Sequence, residues 1–316
     1  MELRKDYILD RYVLISPVRG KRPHEFVVTT EEKITPANCY FCPGNENMTP
    51  QEIMRIPDEN RGWKIRVFPN KFAAAELAGN YNIRTDNKYY TFSAGYGKHE
   101  IIVETPDHYR QLSDLNENEI KEVLKVYANR ITEISKIDGI KYVCVFKNHG
   151  RDAGTSIAHS HTQIVAVNLI PTLVQEELNA IKKYNSCPYC ELIENERKSY
   201  RRCFENNNFV AFTPYASRFH YEIWIFPKKH IKSITLMDED LLFDLSRIMK
   251  QVLVKLKEMN APYNYVLHYH NDDAFHFHIE ILPRLATWAG FEYSTNMAIN
   301  SVPPEEAAKF YRGETQ

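Results

Sequence analysis

At 316 residues the chain is long enough for two ordinary domains, and apolar residues at 43% allow a sizeable core. Lys plus Arg (40) nearly balance Asp plus Glu (41), which argues against a dedicated nucleic-acid or membrane-surface protein. No apolar run approaches the ~20 residues of a membrane span, and Met1-Glu2-Leu3-Arg4-Lys5-Asp6 lacks the apolar stretch of a signal peptide, so a cytoplasmic protein is expected.

The first strong feature along the chain is Cys39-x-x-Cys42, and the same spacing returns at Cys187-x-x-Cys190. In a cytosolic chain such pairs suggest metal binding or redox chemistry rather than a disulfide framework. No thioredoxin-like context surrounds either pair, so metal is expected. The two remaining cysteines, Cys144 and Cys203, read as small core or partly buried residues.

After Cys42 come a strand ending in Pro106-Asp107-His108, a helix from Ser113 onward, a strand over 141–146, and His159-x-His161. After Cys190 come a strand ending in Pro227-Lys228-Lys229-His230, a helix from Asp238 onward, a strand over 263–267, and His276-x-His278. One order of parts used twice predicts an internal repeat. Ile120, Val123, Leu124, Tyr127, Ile131 and Ile134 recur at helical spacing, as do Leu241, Leu242, Leu245, Ile248, Met249, Val252, Leu253 and Leu256. The strands are short and rich in β-branched and aromatic residues. The expected class is α+β: two repeats, each an antiparallel sheet with helices packed on it, divided as 1–171 and 172–316.

On a strand, His159, His161 and Gln163 would share one face. An imidazole nitrogen can attack phosphorus, and a neutral amide can donate to a phosphate oxygen. A bare His-x-His is more often an ordinary strand feature. Here Asn148-His149-Gly150, read as a polar turn, and Gly154-Thr155-Ser156 precede it, and such a loop can present donors to a phosphate.

Four segments of the first half, in order, resemble the galactose-1-phosphate uridylyltransferase family of the histidine-triad superfamily. They are Ser16 to Pro23, Cys39 to Asn45, Thr105-Pro106-Asp107-His108, and Gly154 to Gln163. His276-Phe277-His278-Ile279-Glu280 and Gly290-Phe291-Glu292 extend the likeness through the second half. The resemblance implies that His161 attacks the α-phosphorus of a nucleotide sugar and carries the nucleotide to a second phosphorylated acceptor. Gln163 stands where hydrolases of the superfamily have a third histidine, which implies transfer rather than hydrolysis. Arg19, Arg22, Asn148 and Ser156 match phosphate-binding positions, Asn70 a position near the nucleoside, and Phe291 and Glu292 the sugar segment. Cys39, Cys42, His108 and His159 match a structural zinc site.

Internal symmetry then predicts a second zinc at Cys187, Cys190, His230 and His276. Better-known bacterial members hold iron through a carboxylate and three histidines instead, matching Glu177, His268, His276 and His278 here. The second copy has Glu280 in place of the glutamine, and a carboxylate would repel a phosphate, so that copy is expected to be structural.

Three departures bear on substrate. The motif reads His-Ser-His rather than His-Pro-His, Lys71 replaces the usual aspartate, and 289–296 lacks the usual tyrosine and glutamine of the sugar site. These features resemble plant-type adenylyltransferases that phosphorolyse ADP-glucose, and short archaeal and anaerobe uridylyltransferases. The leading expectation is a UDP-glucose:hexose-1-phosphate uridylyltransferase, with nucleotide sugar and hexose 1-phosphate as partners and no nucleic-acid or membrane partner. ADP-glucose phosphorolysis, with phosphate as acceptor, stays open, as does a non-catalytic nucleotide-binding zinc protein. The resemblance also implies a homodimer.

Overall fold

The computed structural model describes residues 1–21 and 35–314. They form two compact units, one of residues 35–147 and 157–175, the other of 1–21, 148–156 and 176–314.

The first unit is built on antiparallel strands in the spatial order Met54–Ile56, Ile65–Pro69, Gly97–Val103, His161–Val167 and Tyr142–His149. The second is built on Arg202–Glu205, Phe209–Phe212, Ile223–Pro227, His278–Pro283 and Tyr263–His268, also antiparallel throughout. Numbered along the chain, both sheets run 1-2-3-5-4, with a long helix between the third and fourth strands. The repeat expected from the Cys and His spacings is thus a repeat of topology, and the α+β class holds.

Insertions distinguish the copies. A two-stranded hairpin, Arg84–Thr85 with Thr91–Phe92, enters the first unit. The second adds a small sheet in which Tyr12–Ile15 lies between Glu2–Lys5 and Ala298–Asn300. This pairing of chain ends makes the second unit discontinuous in sequence.

The long helices form where sequence periodicity places them. Asn116 caps Glu117–Ser135, accepting from Glu119 N at 3.0 Å while the Glu119 carboxylate accepts from Asn116 N at 2.7 Å. This capping box sets the start. The residues from Ser113 onward, expected to begin the helix, are split off in a separate 3-10 turn, Leu112–Asp114. Asp238 caps Glu239–Glu258 as expected, accepting from Leu241 N at 2.9 Å. Loss of such a cap costs about 1 kcal/mol. The stripe from Ile120 to Ile134 is buried, as is that from Leu242 to Leu256. Arg130 of the first helix reaches the sheet and pairs with buried Glu100 at 2.8 Å.

Candidate active site and metal centres

The strand His161–Val167 divides its side chains by the period of two. Thr162, Ile164 and Ala166 are buried, while Gln163, Val165 and Val167 are half-buried on the opposite face. His161 shares the Gln163 face, at the end of the strand, opposite Val103. Its Nδ1 lies 2.8 Å from the His159 carbonyl oxygen. A carbonyl only accepts, so Nδ1 carries the proton and Nε2 the lone pair. Burial, with the Lys147 charge behind it, pushes the imidazole pKa down to about 4. A neutral ring with one open nitrogen is the form a nucleophile needs.

Gln163 is oriented by a residue that motif reading passed over. Its Oε1 is 2.9 Å from Nε2 of His99. The Ala74 amide donates to Nδ1 of His99 at 3.1 Å, so Nε2 carries the proton and Gln163 accepts. The Gln163 amide nitrogen is left as the donor end. Asn70 Nδ2 lies 3.1 Å from the same His99 nitrogen, which places Asn70 beside the His99–Gln163 pair.

Cys39, Cys42, His108 and His159 come together with donor atoms within 4.8 Å of one another. The Sγ to Nδ1 separations are 3.6 Å (Cys39–His159), 3.5 Å (Cys42–His159) and 3.3 Å (Cys42–His108). His159 Nε2 donates to the Thr105 carbonyl at 2.7 Å, which turns Nδ1 toward the sulfurs as an acceptor, the tautomer a metal ligand requires. Phe41, between the two cysteines in sequence, packs edge-on against His161 at 5.2 Å between ring centroids. The cysteine turn therefore buttresses the His161 ring as well as holding His159.

Cys187, Cys190, His230 and His276 form a second group within the same 4.8 Å limit. Nδ1 of His276 is 3.6 Å from each sulfur, and Nδ1 of His230 is 3.6 Å from Cys190. Their Nε2 atoms donate to the Pro227 and Asp273 carbonyls, each at 2.9 Å. Burial, then the neighbouring Cys charge, pushes the Cys42 and Cys190 thiols up to about 12 when no cation is nearby. Both Cys₂His₂ groups can hold a metal ion.

The alternative carboxylate and three-histidine set is corrected in one respect. His276 belongs to the cysteine group, and the third buried group consists of Glu177, His268, His278 and Glu280. The two sets do not compete for one histidine. Glu280 is held by Arg218 and lies 3.6 Å from His268 Nε2. Arg218 thus compensates the carboxylate that replaces the glutamine in the second copy.

Asn148 and His149, read as part of a polar turn, instead end the strand Tyr142–His149. Asn148 and Ser156 belong to the second compact unit. Asn264 Nδ2 donates to Asn148 Oδ1 and to the Ala153 carbonyl, both at 2.8 Å, which fixes the 148–156 loop. Gly150 there has φ +83°, and a Cβ would meet the Pro262 ring at 2.8 Å, so this turn requires glycine. Arg19 and Glu292 line a cleft of about 570 Å³ with His220 and Ser301. The Glu292 carboxylate accepts from Ala289 N at 2.9 Å, and Phe291 beside it is exposed. Arg22 lies outside the described residues.

His99, Glu104 and Lys147 are the residues that motif reading missed. His99 has no histidine partner at a telling spacing in Gly97-Lys98-His99-Glu100. A lysine at 147, in a strand that is otherwise largely apolar, was the one signal of a buried charge.

Known proteins resemble the chain along its whole length. Residues 2–171 match the family model for the galactose-1-phosphate uridyl transferase N-terminal domain, and residues 97–310 match a domain of unknown function, DUF4921. An ADP-glucose phosphorylase of Arabidopsis thaliana is 35% identical, over 98% of this chain and 92% of the relative. A galactose-1-phosphate uridylyltransferase of Thermotoga maritima is 28% identical, over 99% of this chain and 98% of the relative. Among solved structures, an A. thaliana ADP-glucose phosphorylase with bound ADP-glucose aligns with a TM-score of 0.86 at 34% identity, covering 100% of this chain and 98% of the other. A uridylyltransferase structure aligns at 0.76 and 28% identity, covering 99% and 98%.

Proposed function

Because the chain belongs to the galactose-1-phosphate uridyl transferase family and is a nucleotidyltransferase, we propose that it passes a nucleoside monophosphate between two phosphorylated partners through a covalent bond to His161. The observation that carries this reading is the Nδ1–H of His161 tied to the His159 carbonyl at 2.8 Å, which leaves the Nε2 lone pair open. Nε2 attacks the α-phosphorus of a nucleotide sugar. An N–P bond forms, the P–O bond to hexose 1-phosphate breaks, and the departing oxygen keeps the electron pair. The proton stays on Nδ1, so the ring takes on positive charge that the His159 carbonyl stabilises. A phosphate oxygen of the acceptor then attacks the same phosphorus, and Nε2 recovers its electron pair.

Gln163, with its oxygen occupied by His99, donates its amide N–H to a phosphate oxygen of the intermediate. Arg19 and Arg22 suit phosphate oxygens through guanidinium geometry. We assign Asn148 and Ser156 to the phosphates, Asn70 to the nucleoside, and Phe291 and Glu292 to the sugar. UDP-glucose and a hexose 1-phosphate, galactose 1-phosphate first, are the substrates of the leading reading. Adenylyl transfer from ADP-glucose to phosphate is the second reading. It is favoured by the 35% identical plant relative and by the His-Ser-His motif.

Zinc suits both Cys₂His₂ groups. Bonds of about 2.3 Å to sulfur and 2.05 Å to nitrogen put tetrahedral donors roughly 3.5 Å apart, and the separations here run from 3.3 to 3.6 Å. Two cysteines in the second group favour zinc over iron there. A bound zinc would fix His159, and with it the carbonyl that orients His161, and would supply no step of the reaction. The two repeats are divided at 171/172 in this reading. The enzyme is a cytoplasmic homodimer. Among the described residues no helix is long and apolar enough to cross a membrane.

The test is to incubate the protein with UDP-glucose or ADP-glucose labelled in the α-phosphate and map acid-labile label by peptide. Label on His161 is expected. No label with either donor removes both readings. Chasing the labelled enzyme with galactose 1-phosphate or with inorganic phosphate then decides between them.

A further inference from the structure

Directly behind His161, on the helix side of the sheet, lies an ion pair that takes no direct part in the transfer steps above. Lys147 and Glu104 are at most 2% exposed. Lys147 Nζ donates to Glu104 Oε2 at 2.6 Å, to the His161 carbonyl at 2.9 Å and to Ser160 Oγ at 3.1 Å, which uses all three ammonium protons. Ser160 Oγ donates to Glu104 Oε2 and Thr162 Oγ1 to Glu104 Oε1, each at 2.6 Å. The Tyr127 hydroxyl from the helix reaches Glu104 Oε1 at 3.0 Å and Thr162 Oγ1 at 2.7 Å. The Glu104 amide also donates to the Ser160 carbonyl at 3.2 Å. Residues 160, 161 and 162 are each gripped by this one network, and His161 is gripped by its backbone. A buried polar network satisfied at every member is rigid.

The second copy supplies an internal control. Sheet register places Leu267 opposite Ile279, the counterparts of Lys147 and Thr162, and Phe277 replaces Ser160. The strand end that bears Glu104 reads Phe226-Pro227 there. Those residues are buried and apolar, and the sheet has the same topology. The fold therefore does not need the ion pair at these positions. Replacing a buried pair by well-packed apolar groups is often neutral or stabilising, so stability alone is a weak reason to keep one. What distinguishes the copy that has the pair is the nucleophile on the other face of the strand. A cation and an anion together leave almost no net charge under a ring that becomes positive during the reaction.

We propose that the Lys147–Glu104 pair, with Ser160, Thr162 and Tyr127, is a positioning device that holds the His161 strand rigid for attack at phosphorus. It deepens the reading of His161 as nucleophile and rests on it. These are positioning residues, since they act through the strand and do not touch substrate. The serine of His-Ser-His, a departure from His-Pro-His, is part of the device.

The test uses the full chain with its metals, comparing the parent with Lys147→Leu/Glu104→Leu, which copies the apolar solution of the second repeat. Single-turnover transfer of label from the nucleotide sugar to His161 is measured across donor concentrations, beside the thermal midpoint. A misplacement on the order of 1 Å can cost about 100-fold in rate. We expect a midpoint within about 5 °C of the parent, a maximal rate lowered about 100-fold, and a half-saturating concentration changed less than about 3-fold. A folded double variant that labels at the parental rate overturns the proposal, as does one that loses only affinity. Should the double variant not fold, Ser160→Ala/Thr162→Val keeps the pair and removes its grip on the strand. A rate about 10-fold lower is expected from it, and a parental rate is again fatal. Failure of the parent itself to label His161 sinks the nucleophile and the device together, whereas a labelled parent with an unaffected variant sinks only the device.

Discussion

The two histidine strands share one hydrogen-bond pattern and end in different surroundings. In each, the first histidine donates from Nε2 to a carbonyl and presents Nδ1 to a cysteine pair. In each, the second donates from Nδ1 to the carbonyl of the first, at 2.8 Å for His161 and 3.0 Å for His278. The difference lies in what meets the remaining nitrogen. His278 is stacked between Phe226 and His268, each at 4.7 Å between centroids, and its buried Nε2 has no hydrogen-bond partner among the described residues. Two residues on, Gln163 faces His99, while Glu280 faces Arg218. A His-x-His on a strand end thus sets tautomer and orientation, and the neighbours decide whether the free nitrogen can receive a substrate.

The largest effect should come from exchanging the two histidines. His161→Asn should lower nucleotidyl transfer by at least about 10⁴-fold. His278→Asn should leave labelling of His161 within about 3-fold and lower the thermal midpoint, because its cost is to buried packing. A variant of His278 that abolishes label while folded would end the distinction between the copies.

Making the first copy resemble the second is the next step down. Gln163→Glu puts a carboxylate beside the phosphate and should lower the labelling rate about 10²- to 10³-fold. Gln163→His should instead shift partitioning of the intermediate toward water. Unchanged partitioning between water and acceptor would remove the role given to Gln163.

The metal groups sharpen the comparison further. Metal analysis should find two zinc ions per chain. Cys39→Ser/Cys42→Ser should lose one zinc and most activity, because His159 and Phe41 both bear on His161. Cys187→Ser/Cys190→Ser should lose the other zinc and mainly stability. Equal effects of the two variants on labelling would show that proximity to His161 is not what matters.

The smallest effect expected is in pH dependence. Burial holds the folded pKa of His161 below the ordinary 6.5, at about 4. Between those values a free histidine would be protonated while His161 stays neutral, so labelling should persist from pH 7 to about 5 and fall only nearer 4. For the same reason His161 contributes a loss of stability as pH falls through this window. A labelling rate that halves near pH 6.5 would contradict the buried neutral ring.

Much of this was legible in the sequence because it is local or periodic. The repeat, both long helices and the Cys-x-x-Cys pairs follow from spacing along the chain. Membership of the metal groups was also anticipated, in the first copy from the family resemblance and in the second from the internal repeat. The third group was misread because Glu280 had been considered only against a phosphate, and its partner Arg218 is 62 residues away. His99 was missed because its partners, Ala74, Asn70 and Gln163, meet it only by turn geometry and strand register.

Sequence by itself determined the class of fold, its duplication and the cysteine and histidine groups able to bind metal. Those properties depend on residue type and on periods of two and 3.6, which a linear chain displays. Tertiary structure decided which ring nitrogen is open, which carboxylates are neutralised, and that a closed Lys147–Glu104 network lies under one strand and apolar residues under the other. Those depend on register and burial, which bring groups far apart in sequence within 3 Å, where dielectric and hydrogen bonding set protonation and rigidity.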